Sequence, residues 1–78
     1  MIDKFAVPDD FTIDWGSLSM LPIREQAVWL FLYAQKGKTI TINAMQIMFL
    51  DAFTEENELE HTVLKIFAIK GGLQWTDF

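Results

Sequence analysis

The sequence predicts an all-α fold, a compact three-helix domain with a minimal two-stranded β element. Two observations lead to this prediction. Three stretches carry apolar residues in long runs or at helical spacing, and Ser, Thr and Gly residues stand where helices of those lengths would begin and end. The chain has 78 residues, the length of one domain. Its composition, 51% hydrophobic and 14% aromatic, excludes an intrinsically disordered protein.

Residues 1–16 are expected to form an extended N-terminal arm, and residues 17–78 a single helical domain. In the arm, Phe11, Ile13 and Trp15 alternate with polar residues, which is the period of a half-buried strand. Two interpretations stay open for this arm. It packs on the helical domain of its own chain, or it docks Phe11 and Trp15 on another chain.

The first helix is expected to run from about Met20 to Lys36. Ser17 and Ser19 are its candidate N-caps, because a hydroxyl oxygen can accept a hydrogen bond from a free amide of the first turn. Gly37 follows the helix and is expected to end it in the left-handed conformation.

The end of this first helix has no polar face, since residues 27–34 read AVWLFLYA. One stripe at helical spacing consists of Ile23, Ala27, Leu30, Phe31 and Ala34, and the opposite side carries Val28, Trp29, Leu32 and Tyr33. A helix that is apolar all round is normally covered on several sides. We therefore predict self-association or an obligate partner, with Trp29 and Tyr33 in the interface because aromatic residues are enriched in interface cores.

A short strand and two more helices are expected in the second half of the chain. Residues 38–42, KTITI, form an alternating β-type run that could pair with residues 73–77. The second helix is expected over about 43–53, with Thr41 or Asn43 as its cap.

The third helix is expected over 54–70, with Thr54 as its cap and Gly71-Gly72 beyond its end. Its apolar residues form one clean stripe, made of Leu59, Val63, Ile66 and Phe67. This is the pattern of an ordinary amphipathic surface helix packed on a core.

The net charge is −5, and the acidic residues are concentrated in one segment. The ten residues 51–60 contain five carboxylates and no Lys or Arg: Asp51, Glu55, Glu56, Glu58 and Glu60. Acids at a helix start are favoured by the helix dipole, so one interpretation is a solvated helix face. The other is a docking surface for a basic partner, because exposed charge clusters steer association. Such a chain is repelled by phosphate backbones and anionic membranes, so no direct nucleic-acid or membrane partner is expected.

The sequence gives little support for an enzyme. It contains no cysteine and one histidine, His61, and its two serines lack the surroundings of an activated nucleophile. Glu58 and His61 have the Glu-x-x-His spacing used in di-iron bundles, but a single bare motif more often marks a solvated face. No catalytic residue, cofactor or metal site is therefore expected. Neither a signal peptide nor a membrane-spanning run is visible, which predicts a cytoplasmic protein.

The predicted order of helix, strand, helix, helix and strand resembles the winged helix-turn-helix domain. The likeness covers about three quarters of the chain and implies a transcription regulator that places its third helix on DNA. Two features depart from that pattern. The wing is missing, and the helix in the recognition position begins TEENELEH, where four glutamates oppose binding to phosphates.

The function predicted from these observations is a small acidic, non-enzymatic protein–protein interaction module. It is either an assembly subunit that oligomerises through its first two helices, or an inhibitor or modulator whose acidic helix occupies a basic surface of a partner. In size and charge the chain is similar to small acidic accessory proteins of bacteriophages, which would place it in the host cytoplasm or the virion. The alternative is a helix-turn-helix-type transcription regulator.

Overall fold

The computed structural model describes residues 4–70, except for the side chains of Glu56 and Lys70. Within that range the chain forms four helices and a small antiparallel sheet, which confirms a mostly helical domain with a two-stranded β element. The elements in chain order are β1 (Lys4–Ala6), α1 (Trp15–Ser19), α2 (Ile23–Ala34), β2 (Thr39–Thr41), α3 (Ile42–Met48) and α4 (Glu56–Lys70).

The sheet joins β1 to β2, so the strand of the KTITI segment has the N-terminal arm as a neighbour. The paired residues are Lys4 with Thr41, Phe5 with Ile40, and Ala6 with Thr39. Backbone hydrogen bonds extend this contact, from the amide of Val7 to the carbonyl of Lys38 (2.9 Å) and from the amide of Gly37 to the carbonyl of Val7 (2.8 Å). The strand predicted at 73–77 lies outside the described residues.

The N-terminal arm packs on its own chain in the part described. Phe5, Val7 and Phe11 are buried, and the rings of Phe11 and Phe67 lie 5.3 Å apart. The strand predicted over residues 11–15 is wrong, because residues 11–14 form no regular secondary structure and α1 begins at Trp15.

The first helix of the fold, α1, is capped by Asp14. Its carboxylate accepts hydrogen bonds from the backbone amide of Ser17 (3.3 Å) and from the Ser17 hydroxyl (2.9 Å). Aspartate is one of the preferred N-cap residues because its carboxylate can accept from a free amide of the first turn, and this interaction outweighs the alternating pattern. Ser17 and Ser19 therefore lie inside α1, and the prediction that they cap the next helix is wrong.

Helix α2 is shorter at both ends than the predicted helix. Pro22 has ψ near 152°, an extended conformation, so α2 starts at Ile23 rather than at Met20. At the other end Gln35 occupies the C-cap position, and Gly37 has φ +77°. The expected left-handed glycine after the helix is thus confirmed, because residues with a Cβ rarely adopt this conformation.

The remaining helices build the core with α2. The Thr41 hydroxyl accepts a hydrogen bond from the amide of Ala44 (3.1 Å), as predicted for an N-cap of α3. This helix ends at Met48, before a turn segment that replaces the expected continuation to residue 53. The start of α4 follows Glu55, whose carbonyl accepts bonds from the helix, rather than Thr54. The predicted α4 stripe is buried as expected: Leu59, Val63, Ile66 and Phe67.

Within residues 4–70, none of the helices has both the length and the apolar character needed to cross a lipid bilayer.

Candidate partner-binding surface

Helix α2 presents an apolar stripe to solvent. Four residues at helical spacing form this outer stripe: Ile23, Ala27, Leu30 and Ala34, all of them exposed. Ile23 is 83% exposed and Leu30 is 45% exposed. The opposite side of the helix is buried and holds Glu25, Val28, Trp29 and Leu32. Within the described chain α2 is therefore covered on its inner side, and the expected covering of the outer stripe by a partner stays a prediction.

Two polar contacts hold the buried side of α2 against the body of the protein. The carboxylate of Glu25 accepts a hydrogen bond from the ammonium group of Lys65 on α4, at 2.8 Å. The indole Nε1 of Trp29 donates to the carbonyl oxygen of Thr12, at 3.3 Å. Because both partners lie under the helix, these contacts fix its rotation and turn the outer stripe away from the core.

One flank of the outer stripe lies against the segment between α3 and α4. The guanidinium of Arg24 donates a hydrogen bond to the carbonyl of Ala52 (2.9 Å) and lies 4.6 Å from the centre of the Phe53 ring. The rings of Phe31 and Phe49 meet edge to face with centres 5.6 Å apart. Arg24 and Glu25 are the two charged residues of α2, and both are bound to other parts of the molecule rather than to the stripe.

The other flank of the stripe is a half-open groove of about 370 Å³. Its walls come from the N-terminal arm, α1 and α2: Thr12, Ile13, Trp15, Leu30 and Tyr33. Trp15 is 65% exposed, and the ammonium group of Lys36 lies 4.4 Å from the centre of the Tyr33 ring. The groove shares Leu30 with the outer stripe, so stripe and groove form one continuous apolar surface, which we call the α2 face.

Further apolar side chains are exposed on α3 and just after it. Ile47 and Met48 are each 64% exposed, and Leu50 in the following turn is also exposed. These residues supply a second apolar surface on a helix other than α2, which makes them useful as matched controls for tests of the α2 face.

The predicted acidic surface is exposed over most of its described residues. Asp51, Glu55 and Glu58 are exposed, whereas Glu60 is only half exposed. The side chain of Glu56 is outside the described atoms. The acidic segment, residues 51–60, contains Ala52, whose carbonyl accepts the hydrogen bond from Arg24, so it begins beside one end of the α2 face.

The structure separates the four predicted aromatic contact residues into two pairs. Phe11 and Trp29 lie in the core, with exposures of 3% and 0%, so we remove both from the proposed partner surface. Trp15 and Tyr33 are exposed and line the same groove.

The sequence pattern contains the outer stripe, but it does not show that this side of α2 faces solvent. Positions 23, 27, 30 and 34 follow the four-three-four spacing of a helix-packing seam and carry no charge. The opposite side of α2 is also apolar, so periodicity alone could not tell which side faces solvent.

The side chains that could hold a metal ion are dispersed in the described part of the chain. Among residues 4–70, no group of three His, Asp or Glu side chains comes close enough together for metal coordination. Glu58 and His61 are both exposed on α4.

Comparison of the chain with models of known families, with curated proteins and with solved structures finds no match. The function is therefore argued from the chemistry of this surface.

Proposed function

We propose that the protein is a non-enzymatic interaction module that binds another protein through the α2 face. The observation that supports this proposal is the outer stripe of α2, which is exposed, apolar and free of charge along its whole length. The outward side of a surface helix is normally polar, and a broad exposed apolar patch on a soluble chain is typical of an interaction site.

Burying this face would contribute favourable free energy to binding. Fully burying a side chain such as Ile or Leu contributes about 1.5–3 kcal/mol, and Ile23 is 83% exposed before any partner binds. Trp15 and Tyr33 add aromatic surface of the kind that dominates binding hot spots. The groove between them offers a concave site for an anchoring side chain of the partner.

The acidic segment supports two versions of this function. In the first, the protein is an assembly subunit, and the carboxylates at 51, 55 and 58 keep the assembled surface soluble. In the second, it is an inhibitor or modulator whose acidic residues select a partner with a basic surface. Both versions suit an accessory protein of bacteriophage type, acting in the host cytoplasm or the virion.

A capture experiment tests the proposal with one disruptive variant and one matched control. The parent chain, Leu30→Glu and Ile47→Glu are immobilised and exposed to a lysate of the native source. Leu30→Glu places a charge at the centre of the α2 face, whereas Ile47→Glu makes the same chemical change on α3. We expect a protein retained by the parent and by Ile47→Glu, and lost with Leu30→Glu.

The proposal fails if Leu30→Glu retains the same proteins as the parent in equal amounts. Circular dichroism of all three chains provides the folding control. Both substituted side chains are exposed, and such changes usually alter stability by no more than about 0.5 kcal/mol.

A helix-turn-helix-type transcription regulator is the second candidate, on a winged-helix-like scaffold. The observation in its favour is the order of α2, a short strand, α3 and α4, with residues 49–55 connecting the last two helices. The glutamates around the start of α4 oppose it, because recognition helices place cations near phosphates. A titration with duplex DNA separates the two candidates.

A further inference from the structure

We infer that the α2 face binds a second copy of this chain, with the two α2 helices packed antiparallel across a two-fold axis. This inference rests on the proposed function and names its partner. It is supported by the order of large and small residues in the outer stripe, by the dipoles of the two helices, and by the area that a stable dimer needs.

The outer stripe has the spacing of a two-stranded helical seam. Positions 23, 27, 30 and 34 are separated by four, three and four residues, which is the spacing of the core positions in a coiled coil. Two helices packed in this way cross at a shallow angle of about 20° with their axes 8–10 Å apart. The 12 residues of α2 therefore supply a seam about 18 Å long.

The residues along the stripe alternate between large and small side chains. The stripe is therefore complementary to the same stripe of a second copy that runs in the opposite direction. In the antiparallel arrangement Ile23 meets Ala34 of the second copy, and Ala27 meets its Leu30. Each layer then combines one large and one small side chain, so the layers have similar volumes and leave no void. A parallel arrangement would stack Ile on Ile and Ala on Ala, with gaps at the alanine layers. A two-fold interface requires self-complementarity of this kind.

The helix dipoles favour the same orientation. In antiparallel packing the positive N-terminal end of α2 in one copy lies beside the negative C-terminal end of α2 in the other, whereas parallel packing aligns the two dipoles.

A dimer interface of standard size would extend from the outer stripe into the groove. A stable specific interface buries about 800 Å² on each partner, and the protein measures 28 by 26 Å across its two longer dimensions. A dimer contact of standard size would therefore occupy most of one side of the molecule. One helix stripe is too narrow for this, so Trp15 and Tyr33 on the groove flank must also be covered by the second copy.

Engineered cysteines test both the pairing and its direction. The chain has no cysteine, so any disulfide must come from the introduced residues. The variants Ile23→Cys and Ala34→Cys are oxidised separately and as an equimolar mixture, then separated without reductant. A disulfide requires Cα atoms roughly 4.4–6.8 Å apart. We expect cross-linked dimer in the mixture, at least tenfold more than in either variant alone. Ile47→Cys mixed with Ala34→Cys serves as the control and should remain uncross-linked.

Two outcomes overturn the inference. Cross-linking of Ile23→Cys with itself as strongly as in the mixture indicates parallel helices. Absence of cross-linking in every sample indicates that the second copy does not occupy the face. The capture experiment tests the proposed function independently of the cross-linking. If no cross-link forms but Leu30→Glu still abolishes capture of a protein, the self-pairing is refuted and the proposed function stands.

Discussion

The carboxylate of Glu25 accepts a 2.8 Å hydrogen bond from the ammonium group of Lys65, forty residues further along the chain. The Glu25 side chain is 10% exposed and the Lys65 side chain 49% exposed, so a nearly buried acid on α2 is held by a cation at the edge of α4. The pair lies opposite the outer stripe on α2. It therefore helps to determine which of the two apolar sides of this helix meets solvent.

Glu25→Gln should lower the free energy of unfolding by about 1–2 kcal/mol. A hydrogen bond to a charged group contributes about 1.5–3 kcal/mol, and the half-exposed Lys65 reduces that value through solvent screening. Urea denaturation followed by circular dichroism measures the change. Glu58→Gln, an exposed acid on α4, is the control and should stay within about 0.5 kcal/mol of the parent. Equal effects of the two substitutions would contradict the role given to the pair.

Trp29→Phe and Trp15→Phe should differ strongly in how much they lower the free energy of unfolding, although the chemical change is the same. Trp29 is fully buried and donates to the Thr12 carbonyl, so replacing its indole leaves a void and removes this hydrogen bond. We expect about 1–3 kcal/mol of destabilisation at Trp29. Trp15 is 65% exposed and should stay within about 0.5 kcal/mol. Thermal unfolding at low protein concentration gives both values, and similar losses at both positions would contradict the assigned burial.

Gly37→Ala should destabilise the protein, whereas Gly16→Ala should not. A Cβ on Gly37 would collide with the Asp9 carboxylate, and the φ of +77° costs a residue with a side chain about 1–2 kcal/mol. At Gly16 the nearest atom would be 3.5 Å away, and alanine in a helix is favoured by about 0.5–1 kcal/mol. Denaturant midpoints of both variants provide the comparison. Adding Asp9→Ala to Gly37→Ala should recover only the part of the lost stability that comes from the contact between the new Cβ and Asp9.

The chain should show no useful affinity for random duplex DNA at physiological salt. Its net charge of −5 opposes the counterion release that drives non-specific binding, and Glu55 and Glu58 are exposed around the start of α4. A fluorescence anisotropy titration measures the affinity. Binding at micromolar concentration would favour the transcription-regulator candidate over the interaction module.

The sequence predicted local features well where one short-range interaction decides them. The Thr41 cap, the left-handed Gly37 and the buried stripe of α4 each depend on residues a few positions apart. The break between α1 and α2 was missed, since the alternating apolar residues of the arm masked the capping signal at Asp14.

The non-local choices could not be made from the sequence. Residues 38–42 were expected to pair with residues 73–77, and the neighbour that the structure shows, residues 4–6, depends on the packing of the whole arm. Both sides of α2 are apolar, so its orientation depends on Glu25 meeting Lys65 and on Trp29 meeting Thr12. The same contacts explain why Tyr33 is available to a partner and Trp29 is not.

The molar mass of the parent chain as a function of concentration tests the α2 face most directly. Sedimentation equilibrium is run on the parent, Leu30→Glu and Ile47→Glu, from low to high micromolar concentration. We predict that the parent and Ile47→Glu rise from the mass of one chain to that of two, while Leu30→Glu stays at one. A parent that remains a single chain at every concentration, or a Leu30→Glu variant that dimerises like the parent, would contradict self-pairing through the α2 face.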